Sequence, residues 1–485
     1  MRPKIQMLGP ELIGRILHEA FELLMNPGVR VGSAVVGLLQ SAGVEVNGGV
    51  ARIPKPVALR CLASVPQDFY LYSRQGERAV HYGGDDVHFD PGSCCVQMLD
   101  PETMEARPSE TRDLVRIVQV TETLPQFAAQ STAVVCSDSA APNTVGDLYR
   151  LLVVLEHSDK PVVTGSFSAA GLQGMIDLLA ADCGGSDKLR EKPRAVFDVC
   201  PSPPLNWSEF GSHNLLDLAR AGVPAEIVAM PLAGGTAPVT LAGSVTQHAA
   251  EVLAGITLHQ LAGPGSPVVW GGAPALFDMR TGGAPMGAVE TAMLNMACAE
   301  VGKHLGLPTH GYLVATDSKL VDAQGGAESA RSAMLGALAG INMISGAGML
   351  ESLACHSVEK LVIDAESIAS AQRLIRGIEV RGGESLATAM FAQTGLSGEF
   401  LKLKETRALF RQEQYLPSPV IDRSARGSEP PSDVFARARV RVNELVSKYQ
   451  KPSLPEEVLW KFQAIVEREA DRAGAAAALP GIENR

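Results

Sequence analysis

The sequence predicts an α/β protein built around a TIM-type (β/α)8 barrel. Short runs rich in β-branched and apolar residues alternate with segments of helical period, which is the order of repeated βα units and a parallel sheet. Glycine, proline and polar residues fill the turns between these elements. The alternation covers about 250 residues, a length typical of a TIM barrel.

The individual elements follow from these patterns. Eight strands are predicted: Phe127–Val134, Pro161–Ser166, Ala195–Cys200, Glu226–Leu232, Pro267–Gly271, Gly311–Ala315, Gly340–Ser345 and Leu361–Asp364. Seven helices are predicted with them: Asp147–His157, Ala170–Ala181, Glu209–Ala221, Val239–Leu261, Ala288–Leu305, Glu328–Leu338 and Ser367–Ile378. Eight strands in this alternation favour a closed barrel over an open sheet.

The barrel is predicted to occupy residues 125–384, between two extensions. Residues 1–124 are predicted to form an α+β extension packed on the barrel. It contains helix Glu11–Asn26, a hairpin turning at Asn47-Gly48, and strands near Phe69–Ser73 and Val87–Phe89. Residues 385–485 are predicted to form a charged helical extension. The extensions are also where a homo-oligomer could assemble.

Composition and charge exclude several functional classes. The net charge of −11 is spread along the chain without a dense Lys/Arg cluster, so nucleic acid is not an expected partner. The apolar stretch 228–258 is broken by glycine, proline and charged residues, so no membrane span is expected. The amino terminus lacks the apolar core of a secretory signal, which predicts a cytoplasmic protein. The eight cysteines form no CxxC pair, so we predict reduced thiols and no metal site.

The most polar loop of the predicted barrel follows the apolar run from His310 to Ala315. It contains Thr316-Asp317-Ser318-Lys319 and continues to Gly326. Because barrel enzymes carry their chemistry at the carboxyl ends of the strands, Asp317 and Lys319 are predicted catalytic residues. Glycines recur at other strand ends, and Gly234 and Gly348 are predicted to let backbone approach a substrate. Short βα turns also need glycine for conformational reasons alone.

Three common motifs are missing. The chain has no GxGxxG after a strand, no GxxxxGK[ST] and no HExxH. Neither a nicotinamide dinucleotide, a nucleoside triphosphate nor catalytic zinc is therefore indicated by motif.

Four passages together resemble one known family. They are His88-Phe89-Asp90-Pro91-Gly92, Thr316 to Lys319 with Asp322-Ala323-Gln324, Gly346 to Glu351, and Tyr415-Leu416-Pro417 with Asp422-Arg423. In this order they resemble the corrinoid-dependent trimethylamine methyltransferase superfamily. The resemblance implies a TIM barrel that passes a methyl group from a methylated amine to the Co(I) corrinoid (cobalamin) of a separate small protein, which meets the barrel mouth. No tightly bound cofactor is implied for the chain itself.

The branch of the family is indicated by a missing residue. The amine-using branch carries pyrrolysine in or close to the loop after Asp317, whereas this chain has only standard residues there. The chain therefore resembles the branch without pyrrolysine, for which glycine betaine and related quaternary amines are substrates. A quaternary ammonium can lose a methyl group to a strong nucleophile and leave as a neutral tertiary amine, so no general acid is required.

Such a donor predicts an aromatic cage and a site for a carboxylate. The candidate cage residues are Phe89, Phe167, Trp207, Trp270, Phe277 and Tyr312, each of which could equally be a packing residue. Lys319 is a candidate for a substrate carboxylate or for an ion pair with Asp317. Gln324 could also bind the carboxylate, and Glu351 could meet the substrate or a helix terminus.

His310 and Cys200 are not expected to be catalytic, and two alternative functions remain open. His310 is expected on the bottom face of the barrel in a structural role, and Cys200 lacks an evident base to make it a nucleophile. The alternative functions are another TIM-barrel enzyme, such as a zinc-dependent methyltransferase or a lyase, and a non-catalytic amine-binding protein.

Overall fold

The computed structural model describes residues 2–139, 143–381, 385–425 and 430–474. At its centre are eight parallel strands, which we number along the chain: β1 His88–Pro91, β2 Gln130–Ser131, β3 Val162–Gly165, β4 Ala195–Val199, β5 Ala225–Ala229, β6 Val268–Gly272, β7 His310–Tyr312 and β8 Met343–Ala347. They follow one another around the barrel. The barrel closes where His88 of β1 pairs with Met343 of β8 and where Ala128, just before β2, donates to Phe89 O at 3.0 Å.

A helix follows each strand and packs on the outside of the barrel. These helices are Thr111–Thr123, Asn143–His157, Ala169–Cys183, Glu209–Ala221, Leu241–Ala262, Val289–His304, Ala323–Ala339 and Val358–Ile375. Several begin at a side-chain cap, such as Ser208, whose hydroxyl accepts from Gly211 N–H at 3.1 Å. Strands covered on both faces carry continuous apolar runs, which is why the alternation is visible in the sequence. The predicted α/β barrel is confirmed.

One predicted strand is wrong, and one barrel strand comes from the predicted extension. Leu361–Asp364 lies inside helix Val358–Ile375, which is buried on several sides and therefore shows a short apolar run without helical period. The remaining strand is β1, His88–Pro91. The sheet of the barrel thus begins before residue 125, the predicted boundary, because β1 is needed to close the ring.

The amino-terminal segment closes the bottom of the barrel. Strands Phe69–Tyr72 and Arg78–Tyr82 form an antiparallel hairpin. Its apolar residues pack with Val163, Val196 and Val269 from the barrel interior. The hairpin predicted at Asn47-Gly48 is also present, as strands Glu45–Asn47 and Val50–Arg52. With its lower end sealed, the barrel interior opens only toward the carboxyl ends of its strands in the part of the chain that the structure describes.

The remaining elements lie around this barrel. The other helices are Pro10–Met25, Val36–Ser41, Lys55–Leu62, Ser186–Glu191, Thr388–Thr394, Lys404–Glu413, Val434–Lys448 and Glu456–Arg472. The other strands are Val29–Val31, Gln97–Leu99, Ala106–Pro108, Asn206–Trp207, Leu232–Ala233, Ala275–Leu276, Met349–Leu350 and Cys355–His356. Of the helices described, none combines the length and apolar character needed to cross a membrane.

Candidate functional site

A cavity of about 360 Å³ opens at the carboxyl ends of the strands. Its size suits a small ligand. Residues from several βα units line it: Ser93, Cys94, Thr132, Arg150, Gly165, Ser166, Phe167, Asp198, Val199, Cys200, Phe210, Asn214, Val228, Met230, Ala273, Tyr312 and Leu353. A larger, more open cleft between helices Pro10–Met25 and Leu241–Ala262 shares none of these residues. We place the site in the barrel cavity, because strand-end residues converge there.

Asp198 is the acidic group of the cavity wall. It lies on β4, in register with Gly165 of β3 and with Glu226 of β5. Its Oδ1 atom has no hydrogen-bond partner among the described residues. Burial raises the pKa of Asp198 to about 7, so the group changes charge close to neutral pH. An unpartnered acceptor that can ionise in a cavity is suited to a cationic ligand.

Asn214 adds a second acceptor to the same cavity. It lies on helix Glu209–Ala221, and its side chain is 2% exposed. Its Oδ1 atom, like that of Asp198, is buried without a partner in the described part of the chain. A buried polar atom without a partner is costly, so a bound ligand or water would stabilise this wall.

A layer of polar side chains lies inside the barrel around Glu226 of β5. Glu226 Oε2 accepts from Tyr82 Oη at 3.3 Å, and its Oε1 lies 3.3 Å from His310 Nδ1. His310 Nε2 is 3.1 Å from Ser345 Oγ, which donates to Asp90 Oδ1 at 2.6 Å. His310, expected on the bottom face, therefore lies within the barrel. These contacts connect the interior from β5 to β1, and among the described residues Glu226 Oε1 and His310 Nδ1 have no partner of hydrogen-bond geometry.

The charges of this layer are suppressed by burial. Burial raises the pKa of Glu226 and of Asp90 well above the ordinary range, and for both groups the negative charge of Asp198 adds to the effect. Burial lowers the pKa of His310 to about 3, so its imidazole is neutral. Carboxyl groups this close cannot all be ionised at once. The layer therefore holds protonated acids beneath the one acid that lines the cavity.

Gly271 of β6 is needed for the contact between Glu226 and His310. A Cβ at this position would lie 3.1 Å from His310 Nδ1, 3.2 Å from Glu226 Cγ and 2.8 Å from Ile227 O. We expect Gly271→Ala to destabilise the fold by about 1–3 kcal/mol, as an overpacked core does. Gly326→Ala is the control, because Gly326 lies in a helix with open space around it. Thermal melting of both variants measures the effect, and equal melting temperatures would contradict it.

Arg150 is the basic group of the cavity and is 3% exposed. Its Nη2 donates to Asp147 Oδ1 at 2.7 Å, and its Nη1 donates to Cys94 Sγ at 2.9 Å and to Thr132 O at 3.1 Å. The guanidinium carbon lies 5.3 Å from the centre of the Phe167 ring. A guanidinium has five N–H donors, and these contacts use three. Arg150 can therefore bind a carboxylate while keeping its structural partners.

Three aromatic rings face the cavity. Tyr312 lies on β7, and its hydroxyl donates to Ser93 O at 2.6 Å. Phe167, in the loop after β3, is 61% exposed, and Phe210 lies at the start of helix Glu209–Ala221, which follows β4. Of the six predicted cage residues, the structure brings Phe167 and Tyr312 into the cavity.

The other four predicted cage residues lie elsewhere. Trp270 and Trp207 are buried behind the strands, where their indole N–H groups donate to Cys298 O at 2.9 Å and to Glu251 O at 3.2 Å. Phe89 belongs to the hydrophobic core. Phe277 packs against Gly235 in the loops after β5 and β6. Side chains of a barrel strand alternate between the interior and the helices, and Trp270 and Phe89 point toward the helices.

The polar loop after β7 does not reach the cavity wall. The Asp317 carboxylate accepts from the backbone N–H groups of Met286 at 2.7 Å and Gly287 at 3.1 Å. Lys319 is exposed. Gln324 is also exposed and donates to Glu328 at 3.0 Å. These residues are separated because the loop turns away from the cavity, and Asp317 holds it to the loop after β6.

Glu351 and the two predicted glycines lie near the mouth without lining the cavity. Glu351 N–H donates to Ser318 O at 3.1 Å. Gly234 has a φ of 89° and lies close to Val239 and Met279. Gly348 has a φ of 86°, and a Cβ there would lie 2.4 Å from His356 Nε2. The conformation and packing of these turns therefore account for both glycines.

Sequence reasoning missed Arg150, Asp198 and Asn214. A signal was present for two of them: Asp198 is the one charged residue in the apolar strand Ala195–Val199, and Arg150 interrupts the apolar run of helix Asn143–His157. Cys200, two positions after Asp198, lines the cavity and is exposed. The described residues contain no cluster of three or more His, Cys, Asp or Glu side chains arranged to hold a metal ion.

Comparison with known proteins identifies related chains. A model of the trimethylamine methyltransferase (MTTB) family matches residues 1–474. A trimethylamine methyltransferase of Desulfitobacterium hafniense is 30% identical over 464 residues, which cover 94% of this chain and 92% of the relative. The glycine betaine methyltransferase of the same species is 28% identical over 478 residues, covering 97% and 98% of the two chains.

A solved structure shows the same fold. The monomethylamine methyltransferase of Methanosarcina barkeri superimposes with a TM-score of 0.54, over 98% of this chain and 90% of that one. The two sequences are 10% identical, so the likeness concerns the fold alone.

Proposed function

The chain belongs to the trimethylamine methyltransferase family and is a methyltransferase, and we propose that its donor is a quaternary amine of the glycine betaine type. The acceptor in this proposal is the Co(I) corrinoid of a separate protein. The observation that carries the proposal is one cavity containing an unpartnered acid, Asp198, a base, Arg150, and aromatic rings. A zwitterion with a quaternary ammonium and a carboxylate matches these groups.

The ammonium end of the donor would lie against Asp198. A quaternary nitrogen has no N–H group, so it binds through charge and through its methyl groups. The Asp198 carboxylate supplies the charge, and the rings of Tyr312 and Phe167 supply faces for the methyl groups. The donor carboxylate would bind the remaining N–H groups of Arg150. The two charged ends thus fix the direction in which the methyl group points.

Methyl transfer removes charge from the site. The donor loses its positive charge as the methyl group leaves, so a cavity that excludes water favours the less charged transition state over the charged bound reactants. The corrinoid supplies the nucleophile for this displacement. Arg150 and Asp198 contribute by alignment, which can supply a large part of the rate enhancement. The absence of pyrrolysine from the loop after β7 also supports a donor that differs from the simple methylamines.

The mouth of the barrel is suited to a partner protein. A corrin ring is larger than the cavity, so it would approach from outside. Exposed apolar side chains stand on the loops that surround the opening, one on each of five different βα units: Val96, Phe167, Val239, Met279 and Leu320. Apolar side chains exposed together favour a protein contact. We therefore place the corrinoid protein over this apolar rim.

A direct assay tests the proposed reaction. The purified protein is mixed with chemically reduced cob(I)alamin and a panel of quaternary amines, and the visible spectrum is followed for conversion to methylcob(III)alamin. Conversion with glycine betaine or a related zwitterion supports the proposal, with trimethylamine as the comparison donor. If the free corrinoid does not react, the assay is repeated with the cognate corrinoid protein. Failure with every quaternary amine in that second assay would refute the proposal.

Donor affinity is expected to rise with pH up to about 7 and then to level off. Because burial raises the pKa of Asp198 to about 7, the group is neutral below this pH and anionic above it. A permanent cation binds the anionic form, so each pH unit below about 7 should weaken binding by up to about tenfold. Calorimetric titration with glycine betaine from about pH 5.5 to about pH 8.5 measures this dependence. A constant affinity would contradict a role for Asp198.

A further inference from the structure

The turn that follows β8 contains three consecutive residues in the left-handed conformation. The φ angles of Glu351, Ser352 and Leu353 are 50°, 51° and 81°. Residues with a Cβ avoid this region, so three in a row require contacts that hold them there. The turn also reaches the site, because Leu353 is part of the cavity wall.

The loop after β7 holds this turn. Glu351 N–H donates to Ser318 O at 3.1 Å, and Ser352 N–H donates to Thr316 O at 3.1 Å. The Ser352 hydroxyl donates to Asp317 Oδ1 at 2.7 Å. Three bonds from two neighbouring residues to one loop leave the turn little freedom to relax toward an ordinary conformation.

Asp317 connects this turn to a third loop. Its carboxylate also accepts from the N–H groups of Met286 and Gly287, at 2.7 and 3.1 Å. The loop of Asp317 is itself fixed, because Asp317 N–H donates to Glu328 Oε2 at 3.0 Å. One side chain therefore joins the loops after β6, β7 and β8, and Leu353 is held by that junction.

We propose that Leu353 determines the size of the N-alkyl groups that the cavity accepts, and that Asp317 is the residue that positions it. The inference rests on the proposed function. An aliphatic side chain offers an ammonium donor only contact with its alkyl groups, so its volume sets the space they can occupy. The rigid turn keeps Leu353 in a fixed position. A rigid cavity wall distinguishes ligands by the size of their alkyl groups better than a mobile wall does.

Binding of two symmetric cations to the full chain tests the proposal. Calorimetric titrations with tetramethylammonium and tetraethylammonium give the ratio of the two affinities for the wild type and for each variant. Leu353→Ala is expected to shift this ratio about tenfold toward the larger ion, and Leu353→Phe should shift it toward the smaller ion. Asp317→Asn should shift the ratio in the same direction as Leu353→Ala. Leu374→Ala is the control, on the exposed side of a barrel helix.

The outcomes separate this inference from the proposed function. If both Leu353 variants are folded, as judged by thermal melting, and the ratio stays at its wild-type value, the inference is wrong and the proposed function stands. If Asp317→Asn leaves the ratio unchanged while the Leu353 variants alter it, the positioning role is wrong. If neither cation binds the wild type and no quaternary amine is demethylated, the proposed function and the inference fall together.

Discussion

Replacing Asp198 with asparagine is expected to weaken the binding of a quaternary ammonium donor by about 30-fold or more. Removing one partner of a buried charge pair costs about 2–5 kcal/mol, and each 1.4 kcal/mol is about a tenfold change in affinity. Asparagine keeps the size of the side chain and an acceptor oxygen but has no charge. Binding of glycine betaine is measured by calorimetry at about pH 8, where Asp198 of the wild type is anionic.

Two measurements distinguish the loss of the Asp198 charge from a loss of folded structure. They are the stability of Asp198→Asn and the donor affinity of a control variant. The pKa of Asp198 is raised in the folded state, so its ionisation opposes folding as the pH rises through about 7. Asparagine does not ionise, and Asp198→Asn should therefore be at least as stable as the wild type above this pH. Asp217→Asn, on the partly exposed face of helix Glu209–Ala221, should bind the donor as the wild type does. Normal affinity in Asp198→Asn would exclude Asp198 from the cation site.

The fold was predictable because most barrel strands are covered on both faces. Runs such as Val268–Gly272 are wholly buried, and they contain no polar side chain. Strand β1 was not recognised as part of the barrel because His88 and Asp90 interrupt its apolar pattern. These side chains are polar because the interior of the barrel is polar around Glu226 and Ser345. The polar side chains that β1 contributes to the barrel interior thus make the strand hard to recognise from its sequence.

The candidate site was less predictable because position along a strand does not reveal the direction of a side chain. Trp270 lies next to the end of its predicted strand, where chemistry is expected, but it is the middle residue of β6 in the structure. Its neighbours Val269 and Gly271 face inward, and Trp270 packs behind the sheet. Because side chains alternate along a strand, an error of one residue in the predicted position exchanges the inward-facing and outward-facing side chains. Asp317 was recognised by the polarity of its loop, but its partners at Met286, Gly287 and Ser352 are distant in sequence. No local pattern shows such contacts.

Replacing Lys360 with methionine is expected to destabilise the fold by about 3–5 kcal/mol, the cost of leaving a buried charge unpaired. Lys360 Nζ donates to Asp364 Oδ2 at 2.5 Å, to Ser329 Oγ at 2.9 Å and to Val314 O at 3.1 Å. The side chains of Lys360 and Asp364 are 2% and 1% exposed. Asp364 Oδ2 also accepts from Gly348 N–H at 2.8 Å, so the pair joins the strand ends of β7 and β8.

The pH dependence of stability and a double variant test whether the unpaired charge of Asp364 causes the destabilisation in Lys360→Met. Burial already raises the pKa of Asp364 above its ordinary value, and loss of Lys360 would raise it further. The defect of Lys360→Met should therefore be larger at about pH 8 than at about pH 5.5, because protonation of Asp364 removes the unpaired charge. Replacing both residues, as Lys360→Met with Asp364→Leu, should recover part of the loss. Thermal melting measures all three comparisons, with Lys461→Met as the control for an exposed pair. A double variant no more stable than the single one would show that the pair acts through its geometry at Val314 and Gly348 rather than through the buried charge.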